Sequence, residues 1–283
     1  MRIFTNILEL SGFLNTRYNP YKKLGFVPTM GALHGGHMSL IEACRKENEL
    51  VICSIYVNPT QFNNVGDFDK YPRNLDNDSQ LLASKGCDIL FAPDDKLIYP
   101  SENTISFDVG YFDDIMEGKK RPGHFKGVAL VVAKLFNIVK PDVAYFGLKD
   151  LQQFTLLKKM VSDLTYPIQM KGLPTIREID GLAMSSRNQR LNHQDRRKAS
   201  AIYNSLQLAS DNLKQSLSVK QAKLVVQNFC SEIDGLTLEY FEVAKASDLK
   251  LFNDAITQGQ QVALCIAAWL GGVRLIDNII IEI

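Results

Sequence analysis

No stretch of this 283-residue chain approaches the roughly 18 consecutive apolar residues that a bilayer-spanning helix needs. Net charge is almost absent: 32 Lys and Arg against 31 Asp and Glu leave +1. Composition therefore makes no electrostatic case for nucleic acid or an anionic membrane as partner. The five cysteines (Cys44, Cys53, Cys87, Cys230, Cys265) are odd in number, scattered and never spaced C-x-x-C. That excludes a zinc knuckle and a thioredoxin-type pair, and fits a reducing, cytoplasmic setting. The N-terminal MRIFTNILELSGFLNTRYN has polar breaks and no small-residue cleavage signal. Internal repeats and low-complexity segments are also missing. What remains is ordinary globular material, 46% hydrophobic and 22% charged, enough for a sizeable core without disulfides or metals. The length suits one large domain or two modest ones.

Short apolar, β-branched runs alternate with helical periodicity through the first half. LGFVPT (24–29), LVICSIYVN (50–58), CDILFAP (87–93) and VAYFG (143–147) read as strands. HMSLIEACRKEN (37–48), NLDNDSQLLASKG (74–86), FKGVALVVAKLFNIVK (125–140) and LQQFTLLKKMVSDL (151–164) read as helices. Such alternation predicts βαβ units and an α/β fold, a doubly wound parallel sheet with ligands at the carboxyl ends of its strands. The pattern changes near Pro174. TIREIDGLAMSSRN (175–188) is polar and irregular, helices follow over about 194–215 and over 218–233, and strands over 236–244, 261–270 and 273–283 close the chain. The expected organisation is a Rossmann-like domain over residues 1–175 and a smaller α+β domain over 176–283.

GFVPTMGALHGGHMSLI (Gly25–Ile41) joins the first strand to its helix through a turn holding His34, His37, Gly31, Gly35 and Gly36. Zinc needs three or four protein ligands, and H-x-x-H supplies two. H-E-x-x-H is absent, and His124 and His193 are the remaining histidines. Neither G-x-x-x-x-G-K-[ST] nor G-x-G-x-x-G is present at this turn. The glycines can simply permit a tight turn while the histidines cap a helix. Alternatively, glycine N–H groups, the helix N-terminus and two imidazoles bind an anion, the imidazoles donating most strongly when protonated. The second reading accounts for more of the residues gathered here and suits a nucleoside triphosphate.

Four further segments carry chemistry, each beside an ordinary alternative. In SIYVNPTQF (54–62), Asn58 and Gln61 suit recognition of hydroxyl and carboxylate groups, or are turn chemistry around Asn-Pro. RPGHFKGVA (121–129) sets Arg121, His124 and Lys126 before an apolar helix, or is a solvated basic loop. In YFGLKDLQQF (145–154) a strand ends at Gly147, and Lys149, Asp150 and Gln153 follow at a helix start. A lysine there can neutralise phosphate and an acid can bind ribose hydroxyls, or the helix dipole merely favours the acid. In REIDGLAMSSRN (177–188), Ser185, Ser186 and Arg187 can clamp triphosphate oxygens, or form a plain serine-rich loop. Asp76 and Asp78, after KYPRN, can approach magnesium or sit solvated on an exposed helix face. Asp94-Asp95 and Asp113-Asp114 read as loop charges.

PTMGALHGGH closely resembles the T-x-G-x-x-H-x-G-H signature of the nucleotidylyltransferase superfamily, kin to class I aminoacyl-tRNA synthetases. More specifically, it resembles the first motif of the pantoate–β-alanine ligase (pantothenate synthetase) family. The four segments above resemble that family's later motifs in order, covering residues 24–190. Leu148 stands where the F-G-x-K-D-x-Q-Q pattern would lead us to expect a polar residue. The C-terminal third adds few motif residues.

The resemblance implies a two-step ligation. Pantoate's carboxylate attacks the α-phosphorus of ATP, giving pantoyl adenylate and pyrophosphate, and β-alanine's amine then displaces AMP. It implies an ATP site made of Met30, Gly31, Ala32, Leu33, His34, Gly35, Gly36 and His37, of Gly147, Leu148, Lys149 and Asp150, of Ile176, and of Met184, Ser185, Ser186 and Arg187. The last group is the counterpart of the mobile Lys-Met-Ser-Lys-Ser loop. His34, His37, Lys149 and Arg187 are the implied catalytic residues, with Asp150 on ribose and the backbone of Ile176 on adenine. Gln61 and Gln153 would hold pantoate, Gln61 also lying near β-alanine. Mg²⁺ would accompany ATP, with Asp78 as its candidate ligand. A homodimer and a second domain that closes as a lid over the adenylate are implied too. Two other functions stay open: AMP transfer to a phosphorylated acceptor, and non-catalytic ATP binding.

Overall fold

The computed structural model describes residues 1–17 and 22–283, so Tyr18 and Asn19, the last residues of the N-terminal stretch above, lie outside the described residues. Strands β1 (Arg2–Phe4), β2 (Leu24–Thr29), β3 (Leu50–Ile55), β4 (Ile89–Phe91), β5 (Val143–Gly147) and β6 (Gln169–Leu173) pair in parallel in the order β1-β4-β3-β2-β5-β6. Their Val, Ile, Leu and Phe side chains are mostly buried, as a sheet covered on both faces requires. After β2 the chain steps outward through β3 and β4, then returns to place β5 on the other edge of β2. The strand order thus reverses between β2 and β5, where doubly wound sheets open a crevice for ligands.

Pairing sharpens that crevice. β2 pairs with β3 from Leu24 through Thr29, but with β5 only at Gly25 and Phe26. Pro28 has no N–H to donate, and it lies beyond the point where β2 parts from β5. Helix Gly35–Glu47 packs against β2 at Gly25, where a Cβ would stand 2.2 Å from Cys44 Sγ and 2.6 Å from Asn48 Nδ2. Asn48 Nδ2 donates to Tyr145 Oη on β5 (2.7 Å), and that hydroxyl donates to Glu47 (2.6 Å).

The first compact unit comprises Met1–Leu148 and Leu156–Pro174, and the second Lys149–Thr155 and Thr175–Ile283. In the second, β7 (Leu236–Lys245), β8 (Gln261–Leu270) and β9 (Val273–Glu282) form an antiparallel sheet. Helices Ala201–Ser216 and Val219–Ser231 share its core through Leu206, Leu213, Val226, Val243, Leu264 and Ile266. The β8–β9 hairpin closes on Gly271-Gly272, with φ of +56° and +74°, the left-handed pair that a type I′ turn demands. Among the described residues no helix is long and apolar enough to cross a membrane.

An α/β sheet unit followed by a small α+β unit is the fold class expected from the sequence. Details differ, the boundary among them: the second unit also takes Lys149–Thr155, which the expected organisation keeps within 1–175, and helix Ile7–Arg17 was not expected. β1 is three residues long, too short for periodicity to reveal. β6 carries the polar run QMKGL because it is an edge strand, and its Lys171 pairs with Glu47. β3 ends at Ile55 rather than at 58, since Asn58-Pro59 opens a 3₁₀ turn over Pro59–Gln61. The single helix expected over 194–215 is two, His193–Lys198 and Ala201–Ser216, separated by tighter bonds from Ala199 N to Arg196 O and from Ile202 N to Ala199 O. Substituting Gly25→Ala will wedge a methyl group between β2 and helix Gly35–Glu47. Urea unfolding should show a loss of about 1–3 kcal/mol, the usual cost of overpacking.

Candidate active site

The chain leaves β2 at Met30 and turns through Gly31 (φ +81°) and Ala32 (φ +51°), both left-handed, before helix Gly35–Glu47 begins. Almost every N–H of this turn already has a protein acceptor. Gly31 N donates to Thr29 Oγ1 (3.2 Å), and Ala32 N and Leu33 N donate to the two oxygens of Asp78 (2.9 Å each). His34 N donates to His37 Nδ1 (3.3 Å), and Gly36 N to His34 Nδ1 (3.1 Å). His34 is thus the N-cap, and the two histidines form a reciprocal capping box with ring centroids 4.1 Å apart.

This changes two expectations. The N–H groups of Gly31 and Gly36 do not form an anion cradle, because Thr29 and His34 accept from them. The capping role does belong to the histidines, but it uses only their Nδ1 atoms. An imidazole that accepts at Nδ1 carries its hydrogen on Nε2, so each ring needs no second proton to offer a donor there. A protonated ring would have a hydrogen at Nδ1 and lose its cap bond.

Asp78 also differs from its expectation. It is 1% exposed rather than on a solvated helix face. As a magnesium ligand it is poorly suited, since each oxygen accepts a backbone N–H. Among the described residues, no group of three or more His, Cys, Asp or Glu could hold a metal ion. Asp94, Asp95 and Asp113 are more than loop charges. Asp94 caps the short helix Asp95–Ile98, Asp95 accepts from Tyr56 Oη (2.9 Å), and Asp113 pairs with Lys126 (3.4 Å).

Gln61 sits on a buried polar platform at the end of the turn after β3. Asn58, 1% exposed, donates from Nδ2 to Gln61 Oε1 (3.0 Å) and to Gly127 O (3.2 Å), while its Oδ1 accepts from Tyr99 Oη (2.8 Å) and Thr60 Oγ1 (3.0 Å). Gln61 Nε2 points at Met30 Sδ (3.0 Å), which brings this residue to the start of the histidine turn. Its backbone carbonyl lies 2.8 Å from His124 Nδ1, and Arg121 Nη1 lies 3.1 Å from His124 Nε2. A carbonyl on one side and a guanidinium on the other assign the proton to Nδ1. Arg121 and His124, which sequence left without individual roles, therefore hold the backbone of Gln61. Gly127 makes this possible: a Cβ there would meet Thr60 O at 2.3 Å.

In the second unit, Lys149 and the exposed Asp150 lie in a 3₁₀ turn following β5, and Gln153 lies in helix Leu151–Asp163. Gly147 ends β5, and Leu148 is the last residue of the first unit's leading segment. Asn278 Nδ2 donates to Lys149 O (2.8 Å). Residues 176–184 fold back on themselves: Met184 N donates to Ile176 O (2.9 Å), and Arg177 bridges Ala183. Ile176 is exposed, and Ser185 caps the 3₁₀ helix Ser186–Arg190 by accepting from Arg187 N (3.3 Å). Arg196 pins the hairpin through Glu178 and Asp180 (2.5 Å each), and it holds the Asp180 carboxyl below the usual carboxylate range.

Sequence reasoning missed the anchor of this hairpin. Arg177 makes a two-pronged contact with Asp277 (2.5 and 3.0 Å), donates to Gly181 O (3.0 Å) and Asn278 O (3.2 Å), and lies 4.0 Å over the Tyr203 ring. Burial pushes the Asp277 carboxyl above its ordinary range, against the pull of Arg177. An acid inside the apolar run VRLIDNIIIEI was the available signal, because a buried charge requires a partner. The five cysteines form no disulfide, and all are buried. Burial raises the thiols of Cys44 and Cys87 to about 12, so neither serves as a nucleophile.

Arg177→Met should destabilise the protein by about 3–5 kcal/mol, because it leaves Asp277 buried without its partner. The folded-state value of Asp277 is raised, and losing the guanidinium raises it further. The deficit should therefore grow as pH rises through that value and narrow as pH falls, as denaturant melts across a pH series will show.

The pantoate-beta-alanine ligase family model matches residues 2–280. A pantothenate synthetase of Cytophaga hutchinsonii is 45% identical over 278 residues, covering 98% of each chain. The crystal structure of pantothenate synthetase from Thermus thermophilus superposes with a TM-score of 0.90 at 39% identity, covering 99% of both chains. A pantoate-beta-alanine ligase from Francisella tularensis, solved in complex with beta-gamma ATP and beta-alanine, superposes at 0.80 with 39% identity, covering 99% of this chain and 97% of that one. With its two-histidine turn where the strand order reverses, its Gln61 platform and a family match along nearly its whole length, this chain belongs to the pantoate–β-alanine ligase family.

Proposed function

We infer that this protein condenses pantoate with β-alanine at the expense of ATP, yielding pantothenate, AMP and pyrophosphate through a pantoyl adenylate. The observation that carries the reading is the family match over residues 2–280, joined to a two-histidine turn beside an amide platform. Both reactants of the first step are anions, so acceleration comes from holding them together and offsetting charge on the phosphates. His34 and His37 donate Nε2–H to phosphate oxygens as neutral rings. Lys149, Ser185, Ser186 and Arg187 stabilise the charge that develops on departing pyrophosphate. Asp150 holds ribose, the backbone of Ile176 meets adenine, and Met184 belongs with Ser185, Ser186 and Arg187 to the ATP-binding segment. Gln61 and Gln153 orient pantoate.

Mg²⁺ supplies further charge neutralisation when it arrives on the triphosphate. The carboxylate nearest the turn, Asp78, is committed to backbone amides, so no step above depends on a protein ligand to the metal. AMP transfer to a phosphorylated acceptor would have no use for the amides of Gln61 and Gln153, and the ligase reading gives both a role. A homodimer is expected, and five free, buried thiols support a reducing, cytoplasmic setting.

The adenylate intermediate predicts that labelled pyrophosphate will exchange into ATP when pantoate is present and β-alanine is absent. Adding β-alanine should then release AMP and pantothenate together. Exchange that does not need pantoate, or AMP release without both organic substrates, would sink the ligase reading. A second expectation concerns the platform: Gly127→Ala should push the Pro59–Gln61 turn away and raise the KM for pantoate on the order of tenfold, leaving that for ATP within about twofold. Equal increases for both substrates would mean that Gln61 does not orient pantoate.

A further inference from the structure

We propose that Asp78 is a positioning residue for the ATP-binding turn, acting through the backbone of Ala32 and Leu33, and that it does not ligate magnesium. The proposal rests on reading the turn as the ATP site.

Asp78 lies in the first turn of helix Leu75–Ser84, 46 and 45 residues from the two N–H groups that its carboxylate receives. Both bonds are 2.9 Å long, one to each oxygen. Two consecutive backbone donors meeting one carboxylate form a charge-assisted fork, which fixes direction as well as distance. The backbone needs such a restraint here. Ala32 holds φ of +51°, a left-handed conformation that a residue with a Cβ keeps only when its surroundings impose it. Gly31 precedes it at φ +81°, and a Cβ there would stand 3.0 Å from Asp78 Oδ2. The fork thus sets where Leu33 is buried and where His34 begins the helix. Through His34 it also sets the capping box that keeps both imidazoles neutral and donating from Nε2.

Magnesium ligation would ask something different of the same carboxylate. The ion takes near-octahedral oxygen coordination and is bound by carboxylates free to face it. Both oxygens of Asp78 face amides, in a residue 1% exposed.

The isosteric variant Asp78→Asn distinguishes the two roles. Its amide would set an NH₂ group against an N–H of Ala32 or Leu33, donor against donor, while changing almost no volume. Calorimetric titration with ATP, in EDTA and separately in Mg²⁺, reads the consequence. A positioning role predicts affinity reduced about tenfold or more in both media, since hydrogen bonds to a charged group are the stronger class. A loss confined to Mg²⁺ would make Asp78 a metal ligand and overturn the proposal, as would unchanged affinity in both. Failure of the wild-type protein to bind ATP would instead remove the ATP site itself. Amide exchange in the wild-type protein tests the fork without any variant. The Ala32 and Leu33 amides should exchange far more slowly than that of the exposed Gly35, and equal rates would overturn the proposal.

Discussion

The site depends on β2 leaving β5 after Phe26 while it stays paired with β3 through Thr29. A central strand of a parallel sheet ordinarily has partners on both sides along its length. Here Pro28 could not donate to β5 in any case, and the strand separates where that missing donor does no harm. The separation falls where the strand order reverses, so the crevice typical of doubly wound sheets opens beside the last residues of β2. The chain must then turn sharply from strand to helix within a few residues. Glycine at 31 and an acceptor for the backbone at 78 are the physical answers to that requirement.

Three buried polar residues repeat one device, each holding a loop by its backbone or its anchor. Asp78 receives the N–H groups of the histidine turn, Asn58 donates to Gly127 O and to Gln61, and Asp277 anchors Arg177 beneath the 176–184 hairpin. Such groups contribute modestly while paired, but removing one partner leaves a buried polar atom without water and costs considerably more. Loops built this way are stiff in their backbone yet present exposed side-chain edges. The histidine rings illustrate the consequence. Their inner nitrogens maintain the helix end, and the same bonds determine which nitrogen carries the hydrogen.

Strand and helix periodicity and the Asn-Pro turn are local features, and most of the elements they predict are present with shifts at their ends. The strands that escaped notice, β1 and β6, are an edge strand of three residues and an edge strand of polar composition. Neither buries enough apolar surface to leave a pattern. Candidate residues could be grouped by motif, but motif spacing does not say which atom of a side chain is already engaged. The glycine turn looked like an anion cradle because its N–H groups were counted without their acceptors.

Fold class, family and the residues worth examining follow from the order of amino acids alone, since all of these are written in short runs of neighbouring residues. It took the folded chain to establish that Asp78 faces amides, that Arg121 and His124 serve Gln61, and that both histidines accept backbone N–H groups at Nδ1. Each of those facts turns on a side chain's partner and on burial. The backbone groups held by Asp78 and by Asn58 Nδ2 lie 45 to 69 residues away in the chain, and the partner of Arg177 lies 100 away. Hydrogen-bond geometry acts over about 3 Å, and a linear sequence carries no record of which distant residues folding brings within that reach.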